Sequence, residues 1–323
     1  MKNGTLNNMY WLVKREFWEH RGGFLWAPVI TGGIFLLLNL MGIITAEVFG
    51  ASRGIQIGNA GGLKVIINKM DAGDLDKVGL MLDLSMYSAM SMIAIVMGFV
   101  VMFYCLGALY DDRRDRSILF WKSLPVSDLS TVLSKVISAT VLAPLIAIIV
   151  SVLAGIAQLL MMAITLSFHG VNLWHLLAQA HPFRVIANMI GHLPLYLLFA
   201  LPSVGWFLLC SAWARTKPFL WAVTLPVLAG TLVSWFDLMG PLDLSSNWFW
   251  RHVILRMLVS VFPGSNLVYG SSKLTADGDN PLAFVDLAQT YRILTLPEMW
   301  IGVAIGAALI AAAVWFRRWR DDS

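Results

Sequence analysis

Two long runs without a charged residue set the terms on which this chain folds. Residues 84–110 contain no Asp, Glu, Lys or Arg, and neither do residues 136–168. A charge-free apolar stretch of about 18 residues or more reads as a membrane-spanning helix. Between the runs lies a dense charged island, Asp111 to Asp128, reading DDRRDRSILFWKSLPVSD. It is therefore a short loop joining two spans. Four of its charges are basic (Arg113, Arg114, Arg116 and Lys122), which predicts the cytoplasmic side. Its middle, Ile118-Leu119-Phe120-Trp121, is too apolar for an idle connector. Leu124-Pro125 ends any helix, because proline biases the residue before it away from helical geometry. The pattern predicts a short, partly apolar helix lying against the inner membrane face and offering side chains to a cytoplasmic partner.

Composition agrees with this reading. Of 323 residues, 58% are hydrophobic and 13% charged, against about 25% charged in a soluble globular protein. The expected class is an all-α polytopic membrane protein, with residues 1–323 forming a single transmembrane domain. The formal charge of +4 suits basic cytoplasmic edges and does not call for nucleic acid. Cys105 and Cys210 both lie in apolar runs, which excludes a disulfide framework and makes them packing residues. No cleavable signal peptide is evident, since the first apolar run is long enough to stay in the membrane.

In chain order, residues 5–21 form an expected interfacial helix. Leu6, Met9, Tyr10, Val13 and Phe17 recur at helical spacing, and Trp11 and Trp18 suit headgroup depth. Six spans follow at about 24–46, 85–110, 136–168, 185–214, 218–236 and 298–316. At ~1.5 Å per residue the third run exceeds a ~30 Å core, so it either projects or breaks. The island, 111–128, joins spans 2 and 3, and a longer outer segment, 237–296, precedes span 6. The cytoplasmic candidates hold 14 of the 23 Lys and Arg residues, which places both termini in the cytoplasm by the positive-inside rule. Trp213, Trp221, Trp315 and Trp319 would mark the inner interface, and Trp235 and Trp300 the outer one.

Within the outer segment, Trp248 to Phe262 reads WFWRHVILRMLVSVF and closes on Pro263-Gly264. Arg251, His252, Arg256 and Ser260 share about half the helical circumference. The stretch is short for a span and carries two arginines. It reads as a re-entrant or interfacial helix backed by neighbouring helices. A seventh span is the rival reading, and it would put the C-terminal arginines outside.

Enzyme signatures are weak. No glycine directly precedes a lysine, so the P-loop G-K-[ST] is absent. His169, His175 and His181 recur every six residues, which scatters them around a helix and does not make a metal site. The spans hold almost nothing ionisable apart from His192, near Pro194 in span 4. His192 is a candidate for lining a translocation path, set against a packing role. Ion-coupled transporters carry buried Asp, Glu or His relays, so their absence predicts that energy arrives from outside the chain.

These features together resemble the permease subunit of ABC-2-type exporters. The island carries the likeness. In that family an acidic residue opens a short run that passes through apolar positions to a Leu-x-x-Pro-like close, a small polar residue and a basic residue beginning the next span. Asp115-Arg116-Ser117-Ile118-Leu119-Phe120-Trp121-Lys122-Ser123-Leu124-Pro125-Val126-Ser127 fits, and Lys135 takes the closing basic position. The likeness covers most of the chain through topology, but only the island and Lys135 through motif. The loop 47–83 departs from it, being longer than the shortest members carry.

The resemblance implies a half-transporter in the bacterial cytoplasmic (inner) membrane. Two permease copies, identical or not, would pair along spans 1 and 5. Each island would sit in a cleft of a separate cytoplasmic P-loop ATP-binding subunit, present in two copies. ATP and Mg would bind there and no cofactor on this chain, which is then not an enzyme by itself. Asp115, Arg116, Ile118, Phe120, Trp121, Lys122, Leu124 and Pro125 would couple to that subunit, the aromatics as anchors and the charges as register. Trp248, Trp250, Arg251, Arg256 and Pro263 would form the outer gate. Membrane lipid is the remaining expected partner. The alternatives are a non-transporting sensor or assembly subunit that docks a partner through 111–128, and a self-sufficient secondary transporter.

Overall fold

The computed structural model describes residues 2–52, 72–115, 126–168, 180–240, 245–265 and 287–319. Among them the chain is helical, with no strand. Six helices are long and apolar enough to cross a membrane: Gly22–Val48, Val78–Arg114, Asp128–Phe168, Pro182–Trp213, Pro218–Met239 and Pro297–Trp319. They match the six expected spans and are numbered in chain order. The stretch 245–265 is not among them.

The elements are α1 (Lys2–Glu19), α2 (Ala27–Ser52), α3 (Ala72–Ala108), α4 (Tyr110–Arg114), α5 (Asp128–Ile137), α6 (Ala143–Phe168), α7 (Pro182–Gly191), α8 (Leu193–Trp213), α9 (Pro218–Met239), α10 (Ser246–Phe249), α11 (Leu255–Val259), α12 (Leu287–Tyr291) and α13 (Pro297–Trp319). Two π-helical turns, Ser138–Leu142 and Trp250–Ile254, carry helices on without a break, and a third, Gly22–Trp26, leads into α2. The turn at Ser138–Leu142 has a cause in sequence. Pro144 has no N–H for the carbonyl four residues back, and a widened turn absorbs the loss. Span 3 thus remains one helical unit of 41 residues, about 60 Å long at the standard rise. Of the two expected outcomes, a break is not seen: the helix runs on through the π turn.

Two compact units are present. One comprises Leu25–Val96 and Ile146–Ile190. Its core is built from Leu82, Met86, Met90, Leu159, Ala180 and Val185. Gly155 lets the helices close: a Cβ there would stand 2.8 Å from the Met90 Cε. Asp83 is buried in this unit and accepts the His181 backbone N–H at 2.9 Å, with the His181 imidazole at 3.4 Å.

The other unit comprises Met1–Phe24, Met97–Leu145 and Gly191–Ser323. Its centre is the crossing of α8 and α13. A Cβ on Gly306 would lie 2.6 Å from the Leu201 carbonyl carbon, and one on Gly205 would lie 2.7 Å from the Gly306 oxygen. Two backbones in van der Waals contact are the usual way helices associate where lipid offers no hydrophobic drive. Phe199, Leu195, Ile293 and Met299 pack beside the crossing.

The sequence pattern of α1 needs correction. Tyr10, expected on the apolar face, is exposed, while Leu12 and Glu16 are buried. A carboxylate on the buried face breaks the hydrophobic period, and its partners lie far away in sequence.

Candidate functional site

Apart from Arg256, the buried charges of the second unit converge on the two feet of the island. Glu16 and Lys135 are both almost wholly buried, and Lys135 Nζ lies 3.2 Å from Glu16 Oε1 and 3.5 Å from Asp112 Oδ2. The Arg317 guanidinium meets Asp112 Oδ2 at 3.2 Å through Nη1 and Asp128 Oδ1 at 3.1 Å through Nε. Arg15 closes the other end on Glu16 at 2.7 Å. The result is a ladder of alternating sign: Arg15, Glu16, Lys135, Asp112, Arg317, Asp128. The four buried members, Glu16, Lys135, Asp112 and Arg317, are two acids and two bases, so burial leaves no net charge, the condition under which buried ions are tolerated. Arg15 and Asp128, at the ends, are partly exposed, and Arg15 also meets Glu19 at 3.6 Å. The ladder ties α1, the ends of span 2 and span 6, and the start of span 3.

Further bonds fix the first foot to span 4. The Ser211 hydroxyl accepts the backbone N–H groups of Leu109 at 3.0 Å and Tyr110 at 2.9 Å. Arg113 donates to the carbonyls of Ser211 at 2.6 Å and Ala214 at 2.9 Å. These carbonyls close the last turn of α8, where an intrahelical donor is lacking. The second foot begins at Ser127, whose hydroxyl accepts the Ser130 N–H at 3.1 Å and caps α5.

Glu16 shows how the pocket resolves its own electrostatics. Burial alone would raise its pKa. Lys135, a hydrogen bond from the Tyr104 hydroxyl at 2.7 Å, Arg15 and His20 outweigh that and hold it below its ordinary value of 4.5. The carboxylate is ionised, and Lys135 is its charge partner.

The stretch 245–265 forms a second assembly, built on shape. A helix capped by the Ser245 hydroxyl runs through α10, the π turn and α11. Three of its large side chains sit over glycines of three different spans. Trp250 lies on Gly230 of span 5, where a Cβ would meet its ring at 2.7 Å, and donates to Ser234 Oγ at 2.9 Å. Arg256 lies on Gly302 of span 6, where a Cβ would overlap the guanidinium. Phe262 lies on Gly98 of span 2 in the same way, and edge-on to Phe99 at 4.9 Å. Arg256 is buried, donates to the Met299 carbonyl at 3.2 Å and stands 5.0 Å from the centre of the Phe199 ring. The segment ends at Pro263 and at Gly264, whose φ of +88° is a region glycine enters freely.

Of the outer residues singled out from sequence, Trp250 and Arg256 face protein and Pro263 is half-buried, whereas Trp248 and Arg251 are exposed. His192 stands at the break between α7 and α8, its Nε2 3.2 Å from Thr290 Oγ1. Of the island, Asp115 is exposed. Arg116, Ile118, Phe120, Trp121, Lys122, Leu124 and Pro125 lie outside the described residues.

The expectation that buried acids are missing is overturned: Glu16, Asp83 and Asp112 are all buried and paired. The helices extend past the charge-free runs, so acids beyond the runs still enter packed interfaces. Sequence reading also passed over Gly302-x-x-x-Gly306 in span 6, a spacing that marks close helix contact. Among the described residues no cluster of His, Cys, Asp and Glu is arranged to hold a metal ion. No family model, no curated protein and no solved structure matches this chain.

Proposed function

We propose that the chain is the membrane-spanning permease subunit of an ATP-driven exporter of the ABC-2 type. It moves its substrate across the bacterial cytoplasmic membrane with energy supplied by a separate P-loop subunit. The observation that carries this reading is the bracing of the island. A loop needed only to reverse the chain requires no buried ion pairs at its feet. Here both feet, Asp112 and Asp128, are held by a ladder with a neutral, buried centre that also engages the N-terminal helix and the last span. Such a mount is stiff enough to pass on a force applied to the island's apolar centre, Phe120 and Trp121.

Further features agree. The positive-inside rule favours the charged end and both termini in the cytoplasm, and on this reading the 245–265 helix lies on the outer side and serves as a re-entrant gate. Spans 1 and 5, the pair that such permeases use between copies, are the least buried of the six. ATP and Mg belong to the partner, and this chain supplies the path. Because Asp83, Glu16 and Asp112 each have a partner, their burial does not turn the reading towards an ion-coupled carrier, whose relay acids must exchange protons.

The test is purification in mild detergent with ATP hydrolysis assayed in the eluate. The expected result is a stoichiometric P-loop subunit whose binding is lost in Phe120→Ala and Trp121→Ala. Absence of any ATPase, under conditions that keep the protein's own oligomer intact, overturns the proposal in favour of a sensor or assembly subunit.

A further inference from the structure

We infer that Arg317 is a positioning residue that ties the island's two feet to the 245–265 helix, with span 6 as the rod between them. One guanidinium holds both residues that bracket the island, Asp112 at 3.2 Å and Asp128 at 3.1 Å. Its donors point in fixed directions in a plane, so two carboxylates on one guanidinium have a fixed separation. A lysine, with a compact charge on a flexible stem, would not impose that geometry.

The two contacts are unequal. Asp112 is buried and is braced from its other side by Lys135 at 3.5 Å. The Asp128 side chain is 27% exposed, and its contact is the better hydrated and the easier to break. A displacement of the second foot therefore pulls on Arg317, while Asp112 stays with the body of the unit.

The same helix that ends in Arg317 carries the seat of Arg256. Gly302 lies fifteen residues back along α13, about 22 Å at the standard rise. Between the two, Gly306 touches the Leu201 backbone, so α13 has a fulcrum against α8. Arg256 leaves no room over Gly302 for even a methyl group, and it donates to the Met299 carbonyl of the same helix. A shift or rotation of α13 must move Arg256 and the helix it belongs to. Coupling of this kind runs through packed, contiguous groups. It rests on the exporter reading only in attributing the displacement of the island to an ATPase subunit; the linkage itself is a property of this chain.

The experiment is hydrogen–deuterium exchange of the full-length protein in lipid nanodiscs, without a partner, in wild type, Arg317→Met, Arg317→Lys and Asp128→Asn. Peptides covering 110–130 and 246–262 are the readouts. Exchange in both is expected to rise about tenfold in Arg317→Met and about threefold in Arg317→Lys and Asp128→Asn, with α7 and the core around Met86 unchanged. Graded recovery by the lysine, and a response at the distant peptide, are effects that a merely local packing role would not produce. If Arg317→Met does not fold, the two milder variants decide the matter. Faster exchange at 110–130 alone overturns the rod, and no change at either peptide overturns the clasp. A second arm adds ATP to the complex with its ATPase subunit. Wild type should then change exchange at 246–262, and Asp128→Asn should not; an equal response in both overturns the inference. Failure to find an ATPase removes the exporter reading, and the partner-free result still decides the linkage.

Discussion

The two ends of the same helical unit are held by opposite means. At the feet of the island, four elements meet through charge: Glu16, Lys135, Asp112, Arg317 and Asp128 alternate in sign over contacts of 3.1 to 3.5 Å. At the 245–265 helix, Trp250, Arg256 and Phe262 are seated over glycines, and shape sets the fit. A charge ladder tolerates small displacements but not the loss of a rung, because the remaining ions stay buried. A glycine seat tolerates loss of the large side chain better than it tolerates any addition to the glycine. The sharpest way to break this contrast is Lys135→Met. It keeps the volume and leaves Glu16 and Asp112 without their shared cation. Removing one partner of a buried pair costs about 3–5 kcal/mol, so the detergent-solubilised protein should lose most of its folded yield, read by fluorescence-detected size exclusion. A variant with wild-type yield and melting temperature would mean that water, not the ladder, solvates this site.

Next in size is Gly306→Ala. The new methyl meets the Leu201 carbonyl carbon and oxygen and the Pro202 nitrogen at 2.6 to 2.8 Å. These are backbone atoms and do not rotate away, so α8 and α13 must separate. Overpacking of this kind costs about 1–3 kcal/mol, and the melting temperature should fall accordingly. The 246–262 peptides should lose protection first, since Arg256 sits on the same helix. Loss of protection at 110–130 with none at 246–262 would show that the crossing serves the charged end alone.

The contrast also governs what could be read from the chain. The spans were legible because a charge-free run longer than about 18 residues has few other meanings. The ladder was not legible. Glu16 falls off the apolar period of α1, Asp112 stands in a row of six charged residues, and Arg317 stands beside Arg318 in a basic tail. Each looks like a solvated charge, and only the fold brings together residues 119 and 205 positions apart. Lys135 was singled out as a basic residue opening span 3, but not as the partner of Glu16 and Asp112. The glycine seats were half legible. Gly302-x-x-x-Gly306 announces close contact but not with what. In the fold the two glycines serve different partners, the Arg256 side chain and the Leu201 backbone.

Acid offers a graded way to loosen the ladder without mutation. Glu16 is held below 4.5 in the folded protein, so its native pKa lies under its unfolded one. The stability it contributes is complete above its ordinary value and is lost as pH falls through the depressed native value. The melting temperature should therefore hold on the acid side down to about pH 4.5 and then fall, and Glu16→Gln should remove that part of the fall. The 246–262 helix, seated by shape, should keep its protection at pH values where 110–130 has begun to lose it. Simultaneous loss at both segments would assign the acid response to some other group.

Ser127→Ala gives the smallest effect and separates two ways of fixing the second foot. The hydroxyl accepts the Ser130 N–H at 3.1 Å and starts α5, and losing such a cap costs about 1 kcal/mol. Asp128 stands one residue further on, in the first turn of α5, and its carboxylate remains on Arg317. If the ladder places the foot, the helix start frays and the Arg317 contact survives. Exchange should then rise at 127–130 alone, and the effect of Asp128→Asn should add to it in the double variant, because the two act through different groups. If the cap places the foot, Ser127→Ala already breaks the Arg317 contact, and Asp128→Asn adds nothing further. The double-variant measurement decides between them.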